Sequence, residues 1–150
     1  MSGTFAAVMV ALIAGHQVAD HWVQTHTQAL AKGSPGWPGR LACARHAATL
    51  TVTLAVVLAA VALVTGSRLS VAAVVPGLAV NAVSHYWADR RFTLARLATR
   101  LGKAQFWALG SPRPGHDDNP TLGTGAYALD QAWHMAWLLI TALIITGGSR

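Results

Sequence analysis

The chain contains no glutamate. Its acidic residues are five aspartates set against eleven lysines and arginines, giving a formal charge of +6 and a pI of about 10.8. Charge of either sign is scarce, at 11% of positions, where an ordinary soluble domain carries about 25%. With 53% hydrophobic residues and a mean hydropathy of +0.42, the chain cannot cover a soluble surface with polar groups. A soluble monomer and a disordered chain are both excluded. The single cysteine, Cys43, excludes an intramolecular disulfide framework. No Lys or Arg precedes Phe5 and no clear small-residue cleavage site follows Ala14, so the first apolar stretch is expected to be a retained helix rather than a cleaved signal peptide.

What is present is apolar sequence in long runs. Residues 1–19, 46–67, 69–88 and 131–149 each lack Lys, Arg and Asp, and roughly twenty such residues cross the hydrocarbon of a bilayer. They predict an all-α, four-transmembrane-helix bundle making one integral membrane domain over residues 1–150, with spans at 4–29, 41–65, 69–90 and 125–146. Pro76-Gly77 predicts a bend in the third span. The stretches 33–39 and 110–124, rich in Gly, Pro and Ser, read as loops.

Charge fixes the expected orientation. Lys32, Arg40 and Arg45 lie in the loop at 31–45, and Arg90, Arg91, Arg96, Arg100, Lys103 and Arg113 in the loop at 90–123, leaving Arg68 and Arg150 for the other side. By the positive-inside rule both loops are cytoplasmic and both termini outside, as in a multi-pass protein of the cell inner (plasma) membrane. Trp22, Trp37, Tyr86, Trp87, Trp107, Tyr127 and Trp133 fall near that same boundary, where amphipathic rings favour the headgroup level. Topology thus accounts for the high pI, and no nucleic-acid partner is expected. The third span is expected to continue as a basic interfacial extension over residues 92–101. Arg96, Arg100 and Lys103 there oppose Leu94, Leu97, Ala98 and Leu101, which suits a helix on anionic lipid headgroups. Gly15, Ala19, Ala55 and Ala59 are small enough to serve a homo-oligomer contact.

Titratable residues then appear where they are costly, since a central Asp in a span costs roughly 2.5–3.5 kcal/mol on insertion scales. His16 with Asp20, His85 with Asp89, and Asp130 with His134 are each four residues apart, one helix face per pair. Random placement would give roughly half of one such pair. With His46 near the start of the second span, all seven fall within roughly 10 Å of the cytoplasmic boundary at helical rise. Four separate segments supply one layer. Four imidazoles and three carboxylates form a ligand set for zinc, iron or another divalent transition ion. Seven donors allow two ions, or one ion with Asp–His partners behind it. A buried Asp–His network without metal and a haem site are the alternatives. Gln24, Gln131 and Asn81 could orient ligands or water, Cys43 reads as a packing residue, and His21 and His26 point away from the His16 face.

The series His16-x3-Asp20-x3-Gln24, His46, His85-Tyr86-Trp87-Ala88-Asp89 and Asp130-Gln131-Ala132-Trp133-His134 resembles a family of small bacterial and phage membrane proteins, domain of unknown function 3307. The likeness covers nearly the whole chain and implies that the seven polar positions belong to a shared pattern; it implies no activity. The helix motifs are also distantly similar to those of bacterial inner-membrane metal-dependent hydrolases.

The expected function is metal-dependent hydrolysis, at the cytoplasmic leaflet, of a phosphoester or acyl bond in a lipid or membrane-associated substrate. His16, Asp20, His46, His85, Asp89, Asp130 and His134 are the expected ligands, with Asp130 the catalytic carboxylate. Gln24, Gln131, Arg90 and Arg91 are the candidates for holding substrate, the two arginines as charge-assisted donors to phosphate. A membrane di-iron oxidase, a bis-histidine haem bundle and a non-enzymatic protein with a structural or ion-handling cluster are the rival readings.

Overall fold

The chain folds around four long helices joined by short ones, and in this computed structural model residues 2–112 and 123–149 are described. Arg113, Arg150 and most of the expected loop at 110–124 lie outside them. The order is α1 (Ser2–Val18), a π-helical turn (Ala19–Val23), α2 (His26–Ala31), α3 (Gly36–Thr65), α4 (Val71–Asp89), α5 (Phe92–Arg100), α6 (Ala104–Trp107) and α7 (Gly125–Gly147), with no strand among the described residues. Gly3–Val23, α3, α4 and α7 are long and apolar enough to cross a membrane. The four close into a ring: α1 packs on α3 and α7, and α4 packs on the same two. Leu12, Leu50, Leu54, Leu138 and Ile145 fill its centre. Valines and leucines such as Val10, Val56, Leu63 and Val83 face outward. Apolar residues on both the inner and outer faces are what a helix in hydrocarbon requires.

Three boundaries depart from expectation, each for a local reason. The first helix does not run to residue 29. At Ala19 it widens into a π turn, closed by Gln24 N donating to Ala19 O at 2.9 Å, and Gln24 is extended. Thr25 then caps α2 reciprocally, Gln28 N donating to Thr25 Oγ1 and Thr25 N to Gln28 Oε1. The second long helix starts at Gly36 rather than residue 41, because Pro38 falls in the first turn, where its missing N–H is not needed. It reaches Thr65 and stops at Gly66, which takes the left-handed conformation at φ 67°. Its 30 residues extend about 45 Å, longer than the hydrocarbon of a bilayer is thick.

The basic segment after α4 is a separate helix and no extension of it. Arg91 adopts φ 56°, ψ −53°, a break that turns α5 away from the α4 axis. Leu94 and Ala98 of α5 are buried against the bundle while Arg96 and Arg100 are exposed, as the amphipathic spacing requires. The small residues offered for oligomer contact are partly used inside the chain. Gly15 and Ala19 are buried, and a Cβ on Gly15 would meet Leu54 Cδ2 at 3.0 Å.

Pro76 lies inside α4, and the next residue, Gly77, packs tightly against α7. A Cβ on Gly77 would lie 2.8 Å from Ile145 Cγ1 and 3.4 Å from Thr141 O. We expect Gly77→Val to cost about 1–3 kcal/mol through overpacking. A lowered melting temperature in detergent would register it, and an unchanged one would show that the two helices can separate there freely.

Candidate metal centre

Antiparallel order brings the C-terminal ends of α1 and α4 beside the N-terminal parts of α3 and α7, and the polar pairs lie at those ends. The π turn carries Asp20 inward from the end of α1, and π-helical geometry is frequent where a side chain must be re-aimed at a functional site. His46 enters from α3, His85 and Asp89 from the end of α4, and Asp130 and His134 from the start of α7. All seven expected residues meet. His16, His46, His85, Asp89 and His134 are buried, and Asp20 and Asp130 are partly accessible.

The contacts are short and cross between helices. His46 Nε2 lies 3.0 Å from His85 Nε2, 3.1 Å from Asp20 Oδ1 and 3.3 Å from Asp89 Oδ2. His85 Nε2 lies 3.2 Å from Asp89 Oδ2 and 3.7 Å from Asp20 Oδ1. His16 Nε2 is 3.5 Å from Asp20 Oδ2, and His134 Nε2 is 3.5 Å from Asp130 Oδ2. The rings pack in sequence, His85 stacked on His134 at 4.2 Å and His16 edging both. Two ligand atoms on one tetrahedral zinc lie about 3.3 Å apart, given metal–ligand bonds near 2.0–2.1 Å. The observed separations bracket that value.

Orphaned atoms concentrate in the layer. Nine buried side-chain nitrogens and oxygens among the described residues lack a well-formed hydrogen bond, and seven belong to this layer: His16 Nδ1, His46 Nδ1 and His85 Nδ1, and His16 Nε2, Asp20 Oδ1, Asp89 Oδ2 and His134 Nε2, which have only the ion-pair contacts above. An unsatisfied buried polar atom costs about 1–3 kcal/mol, and His46 and His85 point the same kind of ring nitrogen at each other. Three groups have ligand atoms within 4.8 Å of one another: His16, Asp20, His85 and His134; His46, His85 and Asp89; Asp89, Asp130 and His134. These residues could hold a divalent ion.

The other expected residues divide. Gln24 and Gln131 line a cavity of about 440 Å³ into which Asp20, Asp89 and Asp130 also open. Gln131 Nε2 lies 3.4 Å from Asp130 Oδ2, and Gln24 Nε2 is buried without a partner. Arg91 lines the same cavity; Arg90 does not. Arg90 is buried and donates to Lys32 O at 2.9 Å and Ser34 O at 2.6 Å, tying the α2–α3 loop to the end of α4. Its guanidinium is occupied by backbone rather than free for phosphate. Asn81 is buried one turn before His85, its Nδ2 unpartnered. Cys43 packs as expected, its Sγ donating to Tyr86 O at 3.4 Å. His21 and His26 are exposed, although His21 reaches the cavity rim.

Lys32 is the site residue that the sequence did not disclose. It read as one more positive loop residue, yet its Nζ lies 2.9 Å from Asp89 Oδ1 and the residue is buried. The turn between α2 and α3, at the start of the stretch that reads as a loop, brings it there. Removing one partner of a buried pair leaves the other charge uncompensated. We expect Lys32→Met to destabilise the metal-free protein on the order of 3 kcal/mol, measured by denaturation in detergent. Asp89→Asn should restore most of the loss in the double variant; no recovery would mean that the pair is not the cause.

Among curated proteins and among solved structures, nothing matches the chain. The model of one family, described as "Protein of unknown function (DUF3307)", matches residues 8–149, a stretch that holds every residue of the layer and of the cavity wall. The protein therefore belongs to the DUF3307 family, and its buried His/Asp layer lies wholly within the region that defines membership.

Proposed function

We propose that this protein is a membrane-embedded, metal-dependent hydrolase acting at the cytoplasmic leaflet of the inner membrane on a phosphoester or acyl bond of a lipid or membrane-associated substrate. The observation that carries the reading is one arrangement: seven candidate ligand residues from four helices converge in a buried layer, and its three carboxylates line a cavity. A closed structural site needs four ligands and no cavity, whereas a catalytic one keeps a position for water.

The residues divide between two ions, most naturally zinc. His46, His85 and Asp89 form one group, and His16, Asp20 and His134 belong to a second that also draws on His85, with Asp130 beside His134 at 3.5 Å. Asp20 lies between them, Oδ1 toward His46 and Oδ2 toward His16. A bound divalent ion supplies a Lewis acid and brings the pKa of a water to near neutrality. Asp130 is the best-placed proton acceptor: its side chain is 29% accessible, against 11% for Asp20 and 4% for Asp89. Gln131 and Gln24 place amide groups at the cavity wall, where they orient water or substrate. Lys32 holds the second oxygen of Asp89, which fixes the carboxylate toward the histidines.

The orientation rests on charge. The end of the bundle bearing the layer also bears α2, α5 and α6 and most of the basic residues, the side that the positive-inside rule assigns to the cytoplasm. Single cysteines at Trp37 and Ser67 in a Cys43→Ser background test it. An impermeant maleimide in intact cells should label position 67 and spare position 37; the reverse pattern would invert the topology.

Purified protein should carry one to two equivalents of transition metal per chain, with His46→Ala and His134→Ala each losing most of it. Asp130→Asn should keep the fold and lower chelator-sensitive turnover of a phosphoester and acyl-ester panel by about 100-fold or more, the usual weight of a positioned proton acceptor. Absence of metal from gently purified, folded protein would leave a hydrogen-bonded network in its place. Reaction of an iron-loaded sample with air, with no hydrolysis, would favour a di-iron oxidase on the same ligands.

A further inference from the structure

The cavity beside the layer carries cations that an uncharged ester would not use. Arg40, Arg45, Arg96 and Arg100 are exposed on helix surfaces, as topological anchors are. Lys32 and Arg91 line the cavity, Lys32 buried and Arg91 exposed at its edge. Arg91 is held in place at a conformational cost. It is the one non-glycine residue with positive φ among the described residues, a conformation that persists only where surroundings enforce it. A Cβ on Gly33 would lie 2.9 Å from Arg91 Cδ, so the bare glycine gives the arginine stem its passage. Arg91 Nη2 then rests 3.3 Å from Ala29 O, at the cavity wall. Opposite charge comes from Asp20, Asp89 and Asp130, and a further donor, Gln24 Nε2, is buried and unpartnered.

We infer that this cavity holds the terminal phosphate of a phosphate monoester, gripped against the metal layer by Arg91 and by the donors that Lys32 Nζ has left after pairing with Asp89 Oδ1. The inference rests on the metal reading above. Without ions, three aspartates outweigh two cations and an anion is repelled; with divalent ions on the carboxylates the balance turns positive and suits a dianion. A neutral acyl ester brings no charge to meet Arg91 and Lys32, and arginine's planar fork matches phosphate oxygens in pairs. A cavity of about 440 Å³ accommodates a phosphate and a small attached group, so the chains of a lipid substrate would stay in the bilayer. Hydrolysis would move the phosphoryl group to water, releasing an alcohol and inorganic phosphate, which makes inorganic phosphate a fair probe.

The test measures metal content and phosphate affinity separately. Inorganic phosphate, with acetate as control, is titrated by calorimetry into metal-loaded and chelator-treated protein in detergent. Metal-loaded wild type should bind phosphate, and chelator-treated protein should not. Arg91→Gly should keep its metal and melt no lower than wild type, since glycine relieves the backbone, while weakening phosphate binding about tenfold or more. Gly33→Val, which displaces the arginine without removing it, should weaken binding in the same direction. In nanodiscs, competition by phosphatidic acid but not phosphatidylcholine identifies a lipid source; binding of soluble phosphate alone identifies a free one, and either supports the site. Full metal content with phosphate binding indifferent to both variants, or no stronger than acetate binding, overturns the phosphate site and leaves the metal centre standing. A protein without metal that binds no phosphate overturns both.

Discussion

Everything else in this structure depends on four imidazoles and three carboxylates being pressed together inside an apolar bundle. In hydrocarbon a lone His or Asp has neither water nor counter-charge, and its free energy falls only when another polar group meets it. Because His16 and Asp20, His46, His85 and Asp89, and Asp130 and His134 come from four different helices, none of those helices can slide or turn without orphaning part of the layer. The layer sets register as well as contact. Leucines such as Leu50, Leu54 and Leu138 fill the ring beyond it, but an aliphatic interface in lipid distinguishes poorly between registers, since lipid tails are as apolar as leucine. Polar matching supplies the discrimination that hydrophobic burial supplies in water.

Backbone irregularities occur where this matching demands them. The π turn shifts Asp20 relative to an ideal helix, placing its two oxygens toward His16 on one side and His46 on the other. Trp133 Nε1 donates to Ser84 O, and Gly77 lets Ile145 approach, so α4 and α7 are fixed at two heights, one near the layer and one well below it. On the membrane-boundary side, Arg90 closes the α2–α3 loop over the site by holding the Lys32 and Ser34 carbonyls. That contact positions the lysine indirectly: by holding the backbone of Lys32, Arg90 keeps the lysine side chain on Asp89.

The sequence disclosed what periodicity and cost can disclose. Uncharged runs announced four helices, and Asp–His spacings of four announced a shared face whose members would be expensive if they did not meet. Six of the seven layer residues were legible from those spacings, and His46 from its depth in the second span. Lys32 was not, because a lysine in a loop costs nothing until tertiary structure buries it. Arg90 and Arg91 look alike as neighbours following Asp89, yet one folds inward to backbone carbonyls and the other, itself at positive φ, reaches the cavity. No pattern of residue types encodes that reversal; it follows from the turn that separates α4 from α5. The first helix ends before residue 29 for a related reason, since Thr25 and Gln28 form a capping box inside a stretch without charge.

Basic residues at this end of the molecule thus serve two purposes that composition alone cannot separate. Orientation requires only that positive charge accumulate on one side of the membrane, and it is indifferent to which residue carries it or where the side chain lies. Exposed Arg40, Arg45, Arg96 and Arg100 satisfy that requirement. A buried Lys32 adds little to it, because a charge paired with Asp89 is largely neutralised, and an arginine in a strained conformation adds nothing that an arginine in a relaxed one would not. Retaining both therefore asks for a local reason. The two residues share one surface, the wall of the cavity into which the three carboxylates open, and at that surface a fixed positive charge matters by position rather than by count.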